Sequence, residues 1–170
     1  PGDVLTIEPG TVIQAKPGQG ASASCLIVAR DGQILADGTA ECPIIFTYEG
    51  DPLNGSTPYN TNGLWRGVII TGNGILNTYA FSSDPFGDDL AEGIMDPFGM
   101  GRDLYGGLDN GDSSGILRHV SIRHGGSEMP NPPVNFQNII NGDETNGLSL
   151  NGVGSGTLLE HIEIVSTLDD

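Results

Sequence analysis

Leu117-Arg118-His119-Val120-Ser121-Ile122 returns as Leu159-Glu160-His161-Ile162-Glu163-Ile164, a fixed 42 residues on (117 to 159). Between the copies lies a third apolar run, Gly147-Leu148-Ser149-Leu150. Short apolar segments that recur irregularly between turns are the pattern of a solenoid, in which each copy buries its face against the next. Working outward, the same unit reappears towards the N-terminus. Val4 to Ile7 leads through Pro9-Gly10 to residues 11–15, and residues 26–29 lead through Asp31-Gly32 to 33–36. Asp37-Gly38 leads on to Ile44 to Tyr48, and Gly67 to Thr71 leads through Asn73-Gly74 to residues 75–77.

These runs predict an all-β chain. None shows a 3.6-residue apolar period beyond two turns, and β-branched residues dominate them. The strands are too short, and too rarely joined by two-residue hairpins, for a sandwich with one wet face. A parallel β-helix suits them better. Each strand then pairs with its equivalents about 4.8 Å above and below, like residues stack inside, and Gly and Asn turn the corners. Five or six rungs, a rod of roughly 25–30 Å, are expected at that spacing. Three segments break the rhythm: residues 49–63, 79–114 and 125–145, which are polar or acidic and carry Pro and Gly. They read as loops leaving a single coil that runs from 1 to 170, and loops of such length are where function is usually built.

Composition narrows the partners. Six basic residues stand against 22 acidic ones, a net charge of −16 over 170 residues. Such a surface repels nucleic-acid phosphates and anionic lipid, so neither is an expected partner. It suits solubility in salty surroundings, or attraction of divalent cations. No apolar stretch approaches the roughly 20 residues of a membrane-spanning helix.

At this point the residues resemble a known family. Residues 5–13 (LTIEPGTVI), Ala29-Arg30-Asp31-Gly32-Gln33-Ile34 and Gly63-Leu64-Trp65-Arg66-Gly67-Val68-Ile69-Ile70 are similar to phrases of secreted, right-handed, pectin-lyase-like β-helix proteins. So are residues 117–126 and 146–170, with Ala91-Glu92-Gly93-Ile94 and Tyr105-Gly106-Gly107 in the loops. The family consists of surface or exported proteins of Bacteroidota-type bacteria, many leaving by the type IX route. The resemblance implies the right-handed coil and an extracellular or cell-surface setting, but no catalytic set. It also implies that the chain is part of a longer protein. Cys25 and Cys42 stand where that family more usually has small residues such as Ala, which favours a disulfide between them over two free thiols.

Candidate chemistry is sparse. Asp169 and Asp170 are adjacent carboxylates, the residue type that polysaccharide hydrolases use as acid and base. His124-Gly125-Gly126 is a weak echo of a catalytic Gly-His-Gly element, and Arg118 and Arg123 are cations able to grip a carboxylate; a turn in the last rung is the plainer reading of the aspartates. Asp88, Asp89, Asp109 and Asp112 supply the carboxylate oxygens that calcium wants, with Gly111 inside the Asp109-Asn110-Gly111-Asp112 turn. A solvated acidic loop is the alternative, and no cofactor is required. Trp65 and Tyr105, with Tyr48, Tyr59, Tyr79, Phe81, Phe86 and Phe98, lie in or beside the loops. They serve either to stack on glycan rings or to cover the coil's apolar ends. His119 and His161 are expected to form an outward ladder. The sequence therefore points to a non-catalytic surface scaffold or adhesion module, with glycan or neighbouring protein segments as partners. A lyase or hydrolase of the same fold, or a structural subunit of an extracellular assembly, is the alternative.

Overall fold

The computed structural model describes residues 2–77, 87–94, 96, 99–128 and 144–169. The chain winds as a right-handed parallel β-helix with three faces. The first rung contains β1 (Val4–Ile7), β2 (Val12–Ala15) and β3 (Cys25–Val28). The second repeats it with β4 (Gln33–Asp37), β5 (Ile44–Tyr48) and β6 (Gly67–Thr71). Two short hairpins sit outside the coil: β7 (Asp89–Leu90) pairs antiparallel with β8 (Leu104–Tyr105), and β10 (Ser127–Glu128) with β11 (Glu144–Thr145). In the third rung the long strand β9 (Gly115–Arg123) spans the first two faces, and β12 (Leu148–Asn151) lies on the third. Finally β13 (Leu158–Val165) pairs along the whole of β9, residue 159 against 117, which is the offset seen in the sequence.

Register explains why these residues make strands. Ile7, Ala36, Leu117 and Leu159 stack in one inward ladder; Ile13, Phe46, Ile122 and Ile164 form a second. On the third face Leu26, Val68 and Leu148 form another. Ile34, Ala36, Ile44, Phe46, Val68, Leu117 and Ile122 are completely buried. Each large apolar side chain so enclosed contributes about 1.5–3 kcal/mol. Outside, Arg118 bridges Asp37 (3.2 Å) and Glu160 (3.0 Å), while Glu163 accepts from Ser121 (2.6 Å) and lies 3.6 Å from Arg123. These half-exposed pairs are each worth under about 1 kcal/mol. They follow the coil's register more than they hold it.

The corner between the first two faces tightens along the coil. Residues 8–11 and 38–43 make it in the first two rungs. In β9 and β13 a single left-handed residue does so, His119 (φ 47°) and His161 (φ 53°). Their rings stack in parallel, with centroids 4.4 Å apart and planes 7° off. Gly115 begins β9 at φ 111°, where a Cβ would fall 2.0 Å from the Ile34 carbonyl oxygen, so only glycine fits.

Two expectations are corrected here. The first face holds four levels, β1, β4, β9 and β13, which at the strand spacing is about 14 Å rather than a rod of five or six rungs. The insertions consume the chain that further rungs would have needed. Residues 75–77 are not a strand: the Ile75 N–H donates to the Asn110 side chain (2.9 Å), which turns the backbone out towards the insertion.

Candidate functional site

All three rungs leave the coil at the same corner, between the second and third faces, and the exits touch. Gly18 N–H donates to Leu64 O, Leu64 N–H to His124 O, and Gly63 N–H to Gly125 O. Gln19 Oε1 accepts from Ser127 Oγ and Glu128 N–H. The middle exit, residues 49–66, has the most built interior.

Its foundation is Asp51, 7 % exposed, just past the end of β5. One carboxylate oxygen accepts from the Thr47 hydroxyl (2.7 Å), the other from Leu53 N–H (3.0 Å) and the Thr57 hydroxyl (3.2 Å). Burial alone would raise its pKa. The three hydrogen bonds, with the His124 ring alongside, outweigh that and hold it below the ordinary 3.8. His124 is equally enclosed, and its Nδ1–H donates to Thr61 O (2.6 Å). Its Nε2 stands 4.0 Å from Asp51 Oδ2, beyond hydrogen-bond length, and its edge packs on the Tyr48 ring at 5.5 Å. A carboxylate sealed from solvent with three donors on it is a poor general base and a good anchor. Together Asp51 and His124 grip both ends of residues 57–61. His124 thus has a partner the sequence did not suggest, and its echo of a catalytic histidine gives way to a holding role.

The second insertion covers the third face. Ala91 and Ile94 pack on Ile69, the outward residue of β6, with Cys25, Ile27 and Tyr105 around them. That cover explains why all five residues of β6 are buried. Arg66, 7 % exposed, is the latch: its guanidinium donates to Gly93 O (2.6 Å) in the insertion and to Gly20 O in the first exit. Its Nε has no hydrogen-bond partner among the described residues. Neither Asp51 nor Arg66 stood out in the sequence. The available signals were an Asp-Pro step directly after a strand and an arginine between Trp65 and Gly67, in the approach to β6.

The acidic candidates are scattered over separate tasks. Asp88 is ion-paired with Arg30 (2.6 Å), and buried Asp89 accepts from the Tyr105 hydroxyl (3.3 Å) and from Leu90 N–H. Asp109 accepts from Gly111 N–H (2.8 Å), and Asp112 from Asn73 N–H (3.0 Å), as turn residues do. Among the described residues, no three His, Cys, Asp or Glu side chains converge on a point where a metal ion would sit. Asp169 receives the Asn146 amide at 3.5 Å, and Asp170 lies outside the described residues, as do Tyr79, Phe81, Phe86 and Phe98.

Three further expectations change. Trp65 offers no face to a sugar: it is 2 % exposed in the core, and its Nε1–H donates to Arg123 O (2.8 Å). Tyr105 is half-buried. Burial first, then the Asp89 carboxylate, push its phenol up to about 12, so it remains a neutral donor fixed under the insertion. Cys25 and Cys42 are free thiols on different parts of the coil. Cys25 opens β3 opposite Gly67, whereas Cys42 lies exposed in the 38–43 corner beside Gly10. Burial raises the Cys25 thiol's pKa, with Arg66 opposing more weakly.

Among the described residues no helix is long and apolar enough to cross a membrane. In comparisons with known proteins, the family model described as a pectate-lyase-like β-helix domain matches residues 1–170. No curated protein and no solved structure matches the chain. With its ladders in parallel register on three faces and a family match along its full length, the chain belongs to the pectate-lyase-like β-helix domain family.

Proposed function

We propose that the chain is a non-catalytic β-helix module of an exported or cell-surface protein, in which the coil is the scaffold and the loops at its corners are the working surface. The observation that carries this reading is the state of Asp51 and His124. They are the buried carboxylate and imidazole that face each other, and both are spent on holding a loop, enclosed from any substrate. Catalysis on a polysaccharide needs an acid and a base open to the glycosidic bond or the sugar ring. Asp88, Asp109 and Asp112 are likewise occupied by an arginine or by backbone amides.

The test is incubation with polygalacturonate, with and without calcium, and with neutral polysaccharides, following unsaturated uronate ends and reducing ends. Neither is expected to rise above the heat-denatured control. Cleavage that persists on repurification, and is lost when a single Asp is changed to Asn, would overturn the reading in favour of a lyase or hydrolase. For the setting, protease added to intact cells of the native host is expected to digest the protein.

A further inference from the structure

Residues 52–65 carry no charge at all, in a chain whose net charge is −16. They form the loop that Asp51 and His124 hold. Pro58-Tyr59-Asn60-Thr61 is a β-turn closed by Thr61 N–H to Pro58 O (2.9 Å). On its near side the Thr57 hydroxyl is fixed to Asp51 (3.2 Å), and on its far side Thr61 O is fixed to His124 (2.6 Å). Asn62 adds a contact to Thr167 O at 3.5 Å. At the tip of this clamped turn Tyr59 is 89 % exposed, the most exposed of the large apolar side chains. A single exposed ring is ordinary on a protein surface. A ring mounted on a turn whose both ends are bonded to a buried carboxylate–imidazole pair is not, because the fixing is done before any ligand arrives and lowers the cost of ordering on binding.

The chemistry of the loop selects the ligand. A flat aromatic face covers the apolar C–H side of a pyranose ring. Around it the sequence supplies amides and hydroxyls, Asn54, Ser56, Asn60 and Asn62, which donate to and accept from sugar hydroxyls. The loop offers no cation to an acidic sugar, and the anionic surface around it repels one. Resting on the scaffold reading above, we propose that the Tyr59 turn is a binding site for neutral polysaccharide, with the Tyr59 ring as its stacking platform.

Native gel electrophoresis of the full chain tests this, in gels containing hydroxyethylcellulose, xyloglucan, galactomannan or dextran, with polygalacturonate as the acidic comparison. At least one neutral polymer is expected to slow the chain. Tyr59→Ala should weaken that retention by about tenfold or more, as loss of an aromatic anchor does, with circular dichroism unchanged. Tyr59→Trp should keep it. The proposal is overturned if no neutral polymer retards the wild type, if Tyr59→Ala is retarded equally, or if polygalacturonate is the better ligand. A chain that neither cleaves nor binds removes this site and leaves the scaffold reading standing. A chain that cleaves removes the scaffold reading, and Tyr59→Ala then still decides the site.

Discussion

The loop at 49–66 and the insertion that carries β7 and β8 both leave the coil, but they are secured with opposite polarity and to opposite effect. In the first, the charge is on the loop's own Asp51, buried at the base, and the tip is uncharged and exposed. In the second, the securing charges are Arg30 and Arg66, which lie in the coil-forming part of the chain and reach out to Asp88, Gly93 and Gly106. The insertion then lies down on the outward residues of β3 and β6. One loop displays a surface and the other covers one. The lesson is that length and polarity, which the two segments share in sequence, do not tell a displaying loop from a covering one. The location of the anchoring charge does.

The harshest way to break the comparison is to remove what stands between the two loops. Trp65→Ala takes the largest buried ring out of the core next to both exits. It should cost about 3–5 kcal/mol by urea denaturation and loosen both loops to protease together. Arg66→Ala should separate them. It strips two charge-assisted hydrogen bonds and costs about 2–3 kcal/mol, with new proteolytic cuts expected within 87–107 and none within 52–62. Cuts in both loops would mean that the two are one cooperative unit.

Asp51→Asn is the reciprocal change and should cost about 1–3 kcal/mol at neutral pH, with cuts confined to 52–62. Its pH dependence has a definite sign. Because the folded pKa of Asp51 is lowered, its stabilisation is complete above the unfolded carboxylate's pKa near 3.8 and is lost as pH falls through the lower folded value. Melting curves of wild type and Asp51→Asn should therefore converge on acidification from neutral pH, whereas Arg66→Ala should keep its deficit through the same range. The smallest effect is expected at the corner that carries no loop. His161→Asn, placing a residue that tolerates φ 53°, should shift stability by under about 0.5 kcal/mol, and His161→Val should cost about 1–2 kcal/mol.

The coil was largely legible in the chain because its contacts repeat. The β9 and β13 phrases carry their pairing partner at a constant interval, and runs such as Val4–Ile7 and Gly67–Thr71 coincide with strands. The loops were not, since their contacts occur once. Nothing near Asp51 announces that His124, from the next rung, will close over it. Trp65 was misread because an aromatic beside a loop looks the same in sequence whether its ring turns out or in; the hydrogen bond to Arg123 O is what turns it in. The cysteines misled for a related reason. Each precedes a strand, but the strands belong to different faces, a fact of rung geometry that spacing alone does not encode.

The shared exit corner has a consequence for how such a protein can change over time. Residues 16–24, 49–66 and 124–147 emerge one above another, each between two strands whose pairing is set elsewhere. A longer, shorter or wholly different segment at any of these exits leaves every ladder in place. The two functions of the chain, to persist and to recognise, are thereby written in separate stretches of sequence, and the second is free to drift at the pace of whatever it meets.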